Sequence, residues 1–353
     1  MCKENLLGYS VDQMEELMAS WGEKRFKGRQ LFKWLYHVRQ YDFNLMSDLS
    51  RDLRRRLDEK YTFYCPEPEH RAVSSDGTRK LLFSLHDGHP IETVLIPDES
   101  GRRTVCISLQ AGCGLGCRFC ATGTMGLLRD LTVGEIVGQL ISVLQLDGDQ
   151  AFTNVVMMGM GEPLLNFNNM AAAVRIIRDE IGLNHSARKI TVSTVGIPAG
   201  IRRLADSGLK TRLAVSLHAA TQEKRAAIIP VAKTHQLDQL MAAVKYYTQQ
   251  TATRVTFEYI LFKDFNDSRE DIEALSRLVG GIPCKINLLA YNPVPGLKFE
   301  RPSDQQVEWF AQQLYPRAPA VMVRRSRGID IEAACGQLAG RHQKTRSAEN
   351  ARS

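Results

Sequence analysis

From residue 101 onward short apolar runs alternate with helical patterns, and this alternation restricts the fold more than any other feature of the chain. The runs fall at residues 105–109, 153–158, 189–193, 213–217, 255–261 and 285–289, and helix patterns such as 133–144 and 168–177 follow them. Repeated strand–helix units build a parallel sheet, open or curled into a full or partial barrel, because each parallel neighbour needs a long crossover. In such folds chemistry gathers at the carboxyl ends of the strands.

The first hundred residues read differently. Ser10 with Gln13 makes a capping box ahead of Val11, Met14, Leu17, Met18 and Trp21, an apolar stripe at helical spacing. A second helix is predicted over 30–36. A third starts at Ser50, with Leu53 and Leu57 inward and Arg51, Arg54 and Arg55 outward. Pro66-Glu67-Pro68 then breaks the helical pattern, and residues 80–85 and 91–96, joined through Asp87-Gly88, read as a hairpin. The predicted organisation is a helical domain over 1–65, a β-hairpin extension over 66–100, an α/β domain over 101–345 and a tail over 346–353.

No apolar run approaches the roughly 20 residues of a membrane-spanning helix, and the start lacks a signal-peptide apolar stretch. A soluble, cytoplasmic protein with no membrane partner is expected. The net charge of +7 is unevenly placed: residues 1–100 hold 15 basic and 17 acidic side chains, and the surplus crowds the end at Arg324, Arg325, Arg327, Arg341, Lys344 and Arg346. This admits a polyanionic partner without specifying one, since charge alone carries no specificity.

The sharpest motif is Cys113-Gly114-Leu115-Gly116-Cys117-Arg118-Phe119-Cys120. The glycines favour a wrapped loop over a helical face, and such a loop brings three thiols around one metal centre. Zinc in a structural site takes four protein ligands, and no fourth Cys or His lies nearby; three thiolates on a four-iron cluster leave one iron open. Spacing favours an iron–sulfur cluster, with zinc and unligated core cysteines as the alternatives. Further along, Gly159-Met160-Gly161-Glu162-Pro163, Ser193-Thr194-Val195-Gly196, Ser216-Leu217-His218 and Asn292 end successive strands. Taken singly each also suits a cap or turn residue. Their joint succession at strand ends marks a pocket, in which Glu162 offers an acceptor for an ammonium group.

The Cys-x3-Cys-x2-Cys loop resembles the cluster signature of the radical S-adenosylmethionine (SAM) superfamily, and Gly161-Glu162 its SAM motif. The resemblance extends over nearly the whole chain to the RlmN/Cfr family of RNA adenine methyltransferases. It runs from Gly22-Glu23-Lys24-Arg25-Phe26 and Trp34-Leu35-Tyr36, through Ile91-Glu92-Thr93-Val94-Leu95 and Cys117-Arg118-Phe119-Cys120-Ala121-Thr122-Gly123, to Ile329-Asp330-Ile331-Glu332-Ala333-Ala334-Cys335-Gly336-Gln337-Leu338. Glu332 replaces an Asp common in the family.

The resemblance implies a partial (β/α)6, TIM-like radical-SAM barrel with an N-terminal helical accessory domain and a small β extension. It implies one 4Fe-4S cluster on Cys113, Cys117 and Cys120, and two SAM molecules per turnover, bound through Gly161, Glu162, Ser193, Ser216, Leu217, His218 and Asn292. It implies that Cys335 accepts a methyl group, that Cys106 removes a ring proton and then forms a disulfide with Cys335, and that Glu92 assists proton transfer. Arg324, Arg325 and Arg327 are candidates to acidify Cys335. The implied partners of this monomer are 23S rRNA, tRNA, an electron donor such as flavodoxin or ferredoxin, and a disulfide reductant. The implied reaction is adenine C2 methylation; C8 methylation, another radical-SAM activity and a zinc-stapled RNA-binding protein are the rivals. Cys2, Cys65 and Cys284 receive no chemical role.

Overall fold

The computed structural model describes residues 3–148 and 151–340. Three helices open the chain, α1 (Val11–Ser20), α2 (Phe26–Lys33) and α3 (Arg51–Lys60). The capping box forms as read: Ser10 Oγ accepts from the Gln13 amide at 3.2 Å and Gln13 Oε1 accepts from the Ser10 amide at 2.9 Å. Met14, Met18, Leu53 and Leu57 are buried. The second helix begins earlier than predicted and ends in a π-helical turn, Trp34–Val38.

A ten-stranded sheet follows, its strands side by side in chain order. They are β1 (Pro68–Val73), β2 (Arg79–Ser84), β3 (Pro90–Pro97), β4 (Arg103–Cys106), β5 (Asn154–Met157), β6 (Ile190–Thr194), β7 (Arg212–Ser216), β8 (Val255–Leu261), β9 (Cys284–Ala290) and β10 (Val321–Arg324). From β1 to β4 neighbours run antiparallel, and from β4 to β10 they run parallel. Helices fill the six parallel crossovers: α4 (Val133–Asp147), α5 (Phe167–Arg178), α6 (Pro198–Asp206), α7 (Gln222–Ile228) with α8 (Leu237–Thr251), α9 (Arg269–Val279) and α10 (Asp304–Leu314). The edge strands β1 and β10 do not pair with each other, so the sheet stays open.

Three differences from the sequence reading have physical reasons. The boundary near residue 100 is no break, because β3 and β4 pair from Val94 with Cys106 to Pro97 with Arg103 and fuse the extension to the α/β sheet. The expected hairpin gains a third strand, β1, and the parallel sheet a seventh, β10; both are edge strands with exposed side chains, β1 carries little of the apolar pattern that flags a strand, and Val321-Met322-Val323 of β10 is an apolar run of only three residues. The predicted strand over 105–109 stops at Cys106, and Gln110–Cys113 turns away to form its own hairpin with Gly126–Asp130, irregular between Ala111 and Gly112. Cys2, Arg341, Lys344, Arg346 and the tail over 346–353 lie outside the described residues. Among the described residues no helix is long and apolar enough to cross a membrane.

One buried side chain ties the extension to the first crossover helix. Gln139 of α4 accepts from Thr93 Oγ1 at 2.8 Å and from the Ser108 amide at 2.8 Å, and donates to the Ser108 carbonyl at 2.9 Å. Replacing Gln139 with Leu strands these groups in the interior. The expected loss in denaturant unfolding is about 3 kcal/mol.

Candidate active site

Cys113 ends the strand Gln110–Cys113, and Cys120 precedes a one-turn helix, Ala121–Thr124. The thiols therefore ride on a turn, as the glycines suggested. The Arg118 amide anchors that turn to the Ile228 carbonyl at 2.9 Å. Cys113, Cys117 and Cys120 all line one cavity. Among the described residues no three His, Cys, Asp or Glu side chains converge on a single metal-ion position. Burial holds all three thiols above their ordinary pKa, Cys113 at about 11. A cationic metal centre reverses that preference, because it binds the thiolate form.

The opposite wall begins at β5. Gly161 has φ +93°, and a Cβ there would lie 2.4 Å from Gln110 Cβ, so only glycine lets the turn close. The closure brings the Glu162 amide to Gln110 Oε1 at 2.8 Å. The Glu162 carboxyl accepts from the Leu164 amide at 3.1 Å and the Val195 amide at 2.8 Å. Burial nevertheless pushes its pKa up to about 7, since these amides offset only part of the desolvation. A ligand ammonium would draw it back to the ionised form.

Ser193, Ser216 and His218 also line the cavity. His218 Nδ1 accepts from the Ile260 amide at 3.1 Å, which assigns the ring proton to Nε2. Burial pushes the imidazole pKa down to about 3, so His218 is a neutral donor. Two expected SAM contacts lie off the wall. Leu217 packs in the core and gives its amide to the Glu258 carbonyl at 3.0 Å. Asn292 Nδ2 donates to the Cys335 carbonyl at 3.3 Å, and its buried Oδ1 has no partner within the protein, an acceptor open to a ligand.

The C-terminal loop closes over this cavity. The Ala121 amide donates to the Gly336 carbonyl at 2.7 Å, and Thr122 Oγ1 to the Leu338 carbonyl at 2.6 Å. These bonds set Cys335 on the cavity wall, deep in the protein yet accessible through the cavity. Burial raises the Cys335 pKa, Glu258 and Cys120 add to the rise, and Arg324 opposes it. The expectation of an acidified thiol is thus corrected: Arg324 acts as foreseen but is outweighed, Arg325 is exposed, and Arg327 faces Glu99 at 3.8 Å. Cys106, at the end of β4, is buried and pushed up to about 12, first by burial and then by Cys335, so the two lone thiols sense each other. Both are free thiols. Glu92 is fully buried, pairs with Lys80 at 3.1 Å and binds the Ala339 and Gly340 amides; it does not line the cavity. Cys65 and Cys284 are packing residues with thiols raised by burial.

Two residues escaped the sequence reading. Glu258 lines the cavity from β8 and accepts from Asn287 Nδ2 at 2.8 Å; a lone acid in the apolar run Val255–Leu261 was the available signal. Arg225 of α7 is fully buried, donates to the Val195 carbonyl and stands near enough to Cys117 to favour its thiolate. Nothing local distinguished it from a surface arginine.

Residues 4–62 match the ribosomal RNA large subunit methyltransferase N-terminal domain, and residues 107–279 match the radical SAM superfamily. The dual-specificity RNA methyltransferase RlmN of Nitratidesulfovibrio vulgaris (strain DSM 19637 / Miyazaki F) is 45% identical over 344 residues, which are 95% of this chain and 94% of that relative. The chain belongs to the RlmN family of radical-SAM RNA methyltransferases. The probable dual-specificity RNA methyltransferase RlmN of Salinibacter ruber is 46% identical over 336 residues, 92% of this chain and 91% of that relative. A radical SAM methyltransferase from Sphaerobacter thermophilus has the same fold at a TM-score of 0.90 and 41% identity, covering 96% of this chain and all of that one. Membership of the radical SAM superfamily implies a 4Fe-4S cluster and SAM for this chain.

Two outcomes follow from the Glu162 wall. Gly161→Ala forces the turn open and is expected to weaken SAM binding about tenfold or more in equilibrium dialysis. Glu162, raised to about 7, leaves the folded state protonated while the unfolded carboxyl ionises. Stability of the cofactor-free protein therefore falls as pH rises from 4.5 through 7, by about 3 kcal/mol from this group, and Glu162→Gln flattens that part of the profile.

Proposed function

We propose that the chain methylates C2 of a specific adenine in 23S rRNA, and an anticodon-adjacent adenine in some tRNAs, by relaying the methyl group through Cys335. The observation that carries this reading is that a lone thiol, Cys335, shares one cavity with the three-cysteine loop and Glu162, while a second, Cys106, stands within its electrostatic reach. A zinc-stapled RNA-binding protein gives these residues no work.

In the first half-reaction the Cys335 thiolate attacks the SAM methyl carbon. The new S–CH3 bond forms as the sulfonium bond breaks, S-adenosylhomocysteine leaves, and the thiol proton passes to solvent. Adenine C2 is electron-poor and does not displace that methyl directly, which is the motive for a relay. Held by Cys113, Cys117 and Cys120, the cluster supplies when bound the electron that makes a second SAM able to abstract hydrogen. Gly161, Glu162, Ser193, Ser216 and His218 orient that SAM, with Leu217 and Asn292 supporting from behind the wall.

Cys335 presents its one-carbon unit to the ring, and Cys106 takes the ring proton. Cys106 Sγ then attacks Cys335 Sγ: the S–S bond forms as the bond from Cys335 to the product carbon breaks, and that carbon takes back the proton Cys106 removed and becomes the methyl group. The odd electron left by the radical addition stays on the sulfur pair, and an external reductant supplies the further electron that, with two protons, restores both thiols.

RNA docking falls to the helical module. Arg51 and Arg55 stay exposed, whereas Arg54 turns inward to the Asn44 carbonyl, so the basic face of α3 is narrower than the sequence suggested. Replacing Arg51 and Arg55 with Glu is expected to weaken RNA binding about tenfold in filter binding at moderate salt and to leave SAM cleavage unchanged.

The direct test is nucleoside analysis of RNA after anaerobic turnover. 2-Methyladenosine is expected; 8-methyladenosine would reassign the regiochemistry, and unmodified RNA would overturn the reading. Cys106→Ala is expected to trap a covalent complex of RNA with Cys335, seen as a mass shift.

A further inference from the structure

The β extension has no assigned task, and its two central strands carry a buried ion pair. Lys80 of β2 and Glu92 of β3 lie diagonally on one face, since Lys80 pairs with Val94 and Leu82 with Glu92. Lys80 Nζ is 3.1 Å from Glu92 Oε1, with side-chain exposures of 7% and 0%. Such a pair repays its desolvation only when further hydrogen bonds satisfy both ions. Here those bonds all go to the C-terminal loop. Lys80 Nζ donates to the Glu332 carbonyl at 3.2 Å, and Glu92 Oε2 accepts from the Ala339 amide at 2.8 Å and the Gly340 amide at 3.1 Å.

The two ions thus grip the loop on either side of Cys335. Each grip falls beside an unusual backbone conformation. Glu332 has φ +52°, which is uncommon for a residue with a side chain, and Gly340 has φ +62° with no room for a Cβ against Pro90. We propose that Lys80 and Glu92 form a clasp that fixes the Cys335 loop in methyl-accepting register, and that Lys80 is a positioning residue for the first methyl transfer. The inference rests on the reading of Cys335 as the methyl acceptor. It gives Glu92 a holding role in place of the proton transfer implied by resemblance, because the carboxylate is off the cavity wall, bound through Oε2 by two backbone amides and ion-paired through Oε1 with Lys80.

The test uses the full-length protein reconstituted anaerobically with iron and sulfide. Methyl loading of Cys335 by SAM is followed by peptide mass spectrometry, beside dithionite-driven SAM cleavage and iodoacetamide alkylation of Cys335. Lys80→Met is expected to slow loading about tenfold or more and to speed alkylation, with SAM cleavage retained. The double variant Lys80→Met/Glu92→Gln, which leaves no orphan charge, is expected to do the same, and Lys80→Arg to restore loading. Loading unchanged in Lys80→Met overturns the clasp, as does a parallel fall of loading and SAM cleavage in all three variants. Should the wild-type protein never load a methyl, the relay reading fails by itself. The clasp is then decided by alkylation, where an unchanged rate in Lys80→Met overturns it.

Discussion

The site depends on one docking event, the seating of the loop after β10 on the turn that carries the three cysteines. The Ala121 amide on the Gly336 carbonyl and Thr122 Oγ1 on the Leu338 carbonyl join segments more than 200 residues apart. Each neutral hydrogen bond contributes about 1 kcal/mol net, so no single one holds the loop. The Asn292–Pro293 segment, through the Cys335 carbonyl and Gln337 Nε2, and the Lys80–Glu92 pair add bonds from two other directions. The result is a loop held at many points by polar contacts, with Ile331, Ala333 and Leu338 as its small apolar footing. Such segments open at lower free energy than core strands, which suits a thiol that must meet SAM and then a nucleotide.

Around that loop the protein concentrates groups that are costly to bury. Glu162 is raised to about 7, Cys106 to about 12, and Arg225 is enclosed with its Nε and Nη1 lacking partners within the protein. On the proposed reading, the ammonium of a bound SAM would supply the counter-charge that the buried Glu162 carboxyl lacks.

The α/β architecture was legible because a two-sided buried strand is a continuous apolar run and its crossover an amphipathic helix. Val255–Leu261 was read to the residue for that reason. Edge strand β1 was missed because its exposed face removes the apolar pattern, and β10 because its apolar run, Val321-Met322-Val323, is only three residues long. The shared placement of Cys113, Cys117 and Cys120 on one cavity was legible because the three thiols are neighbours in sequence. Glu162, His218 and Cys335 were found through motifs, yet their electrostatics were not, since burial and partners come from elements far along the chain. Arg325 and Arg327, adjacent to Arg324 in sequence, illustrate the limit: only Arg324 reaches Cys335 electrostatically. Lys80 carried no local signal at all, because its partners are a cross-strand diagonal and a carbonyl 252 residues away.

The central claim is that the transferred carbon passes through Cys335. The protein is loaded with methyl-labelled SAM, freed of small molecules, and given RNA with unlabelled SAM for a single turnover. The account predicts that the label leaves the Cys335 peptide and appears on the adenine base of the RNA. Label that stays on Cys335 while the RNA gains an unlabelled methyl would contradict it.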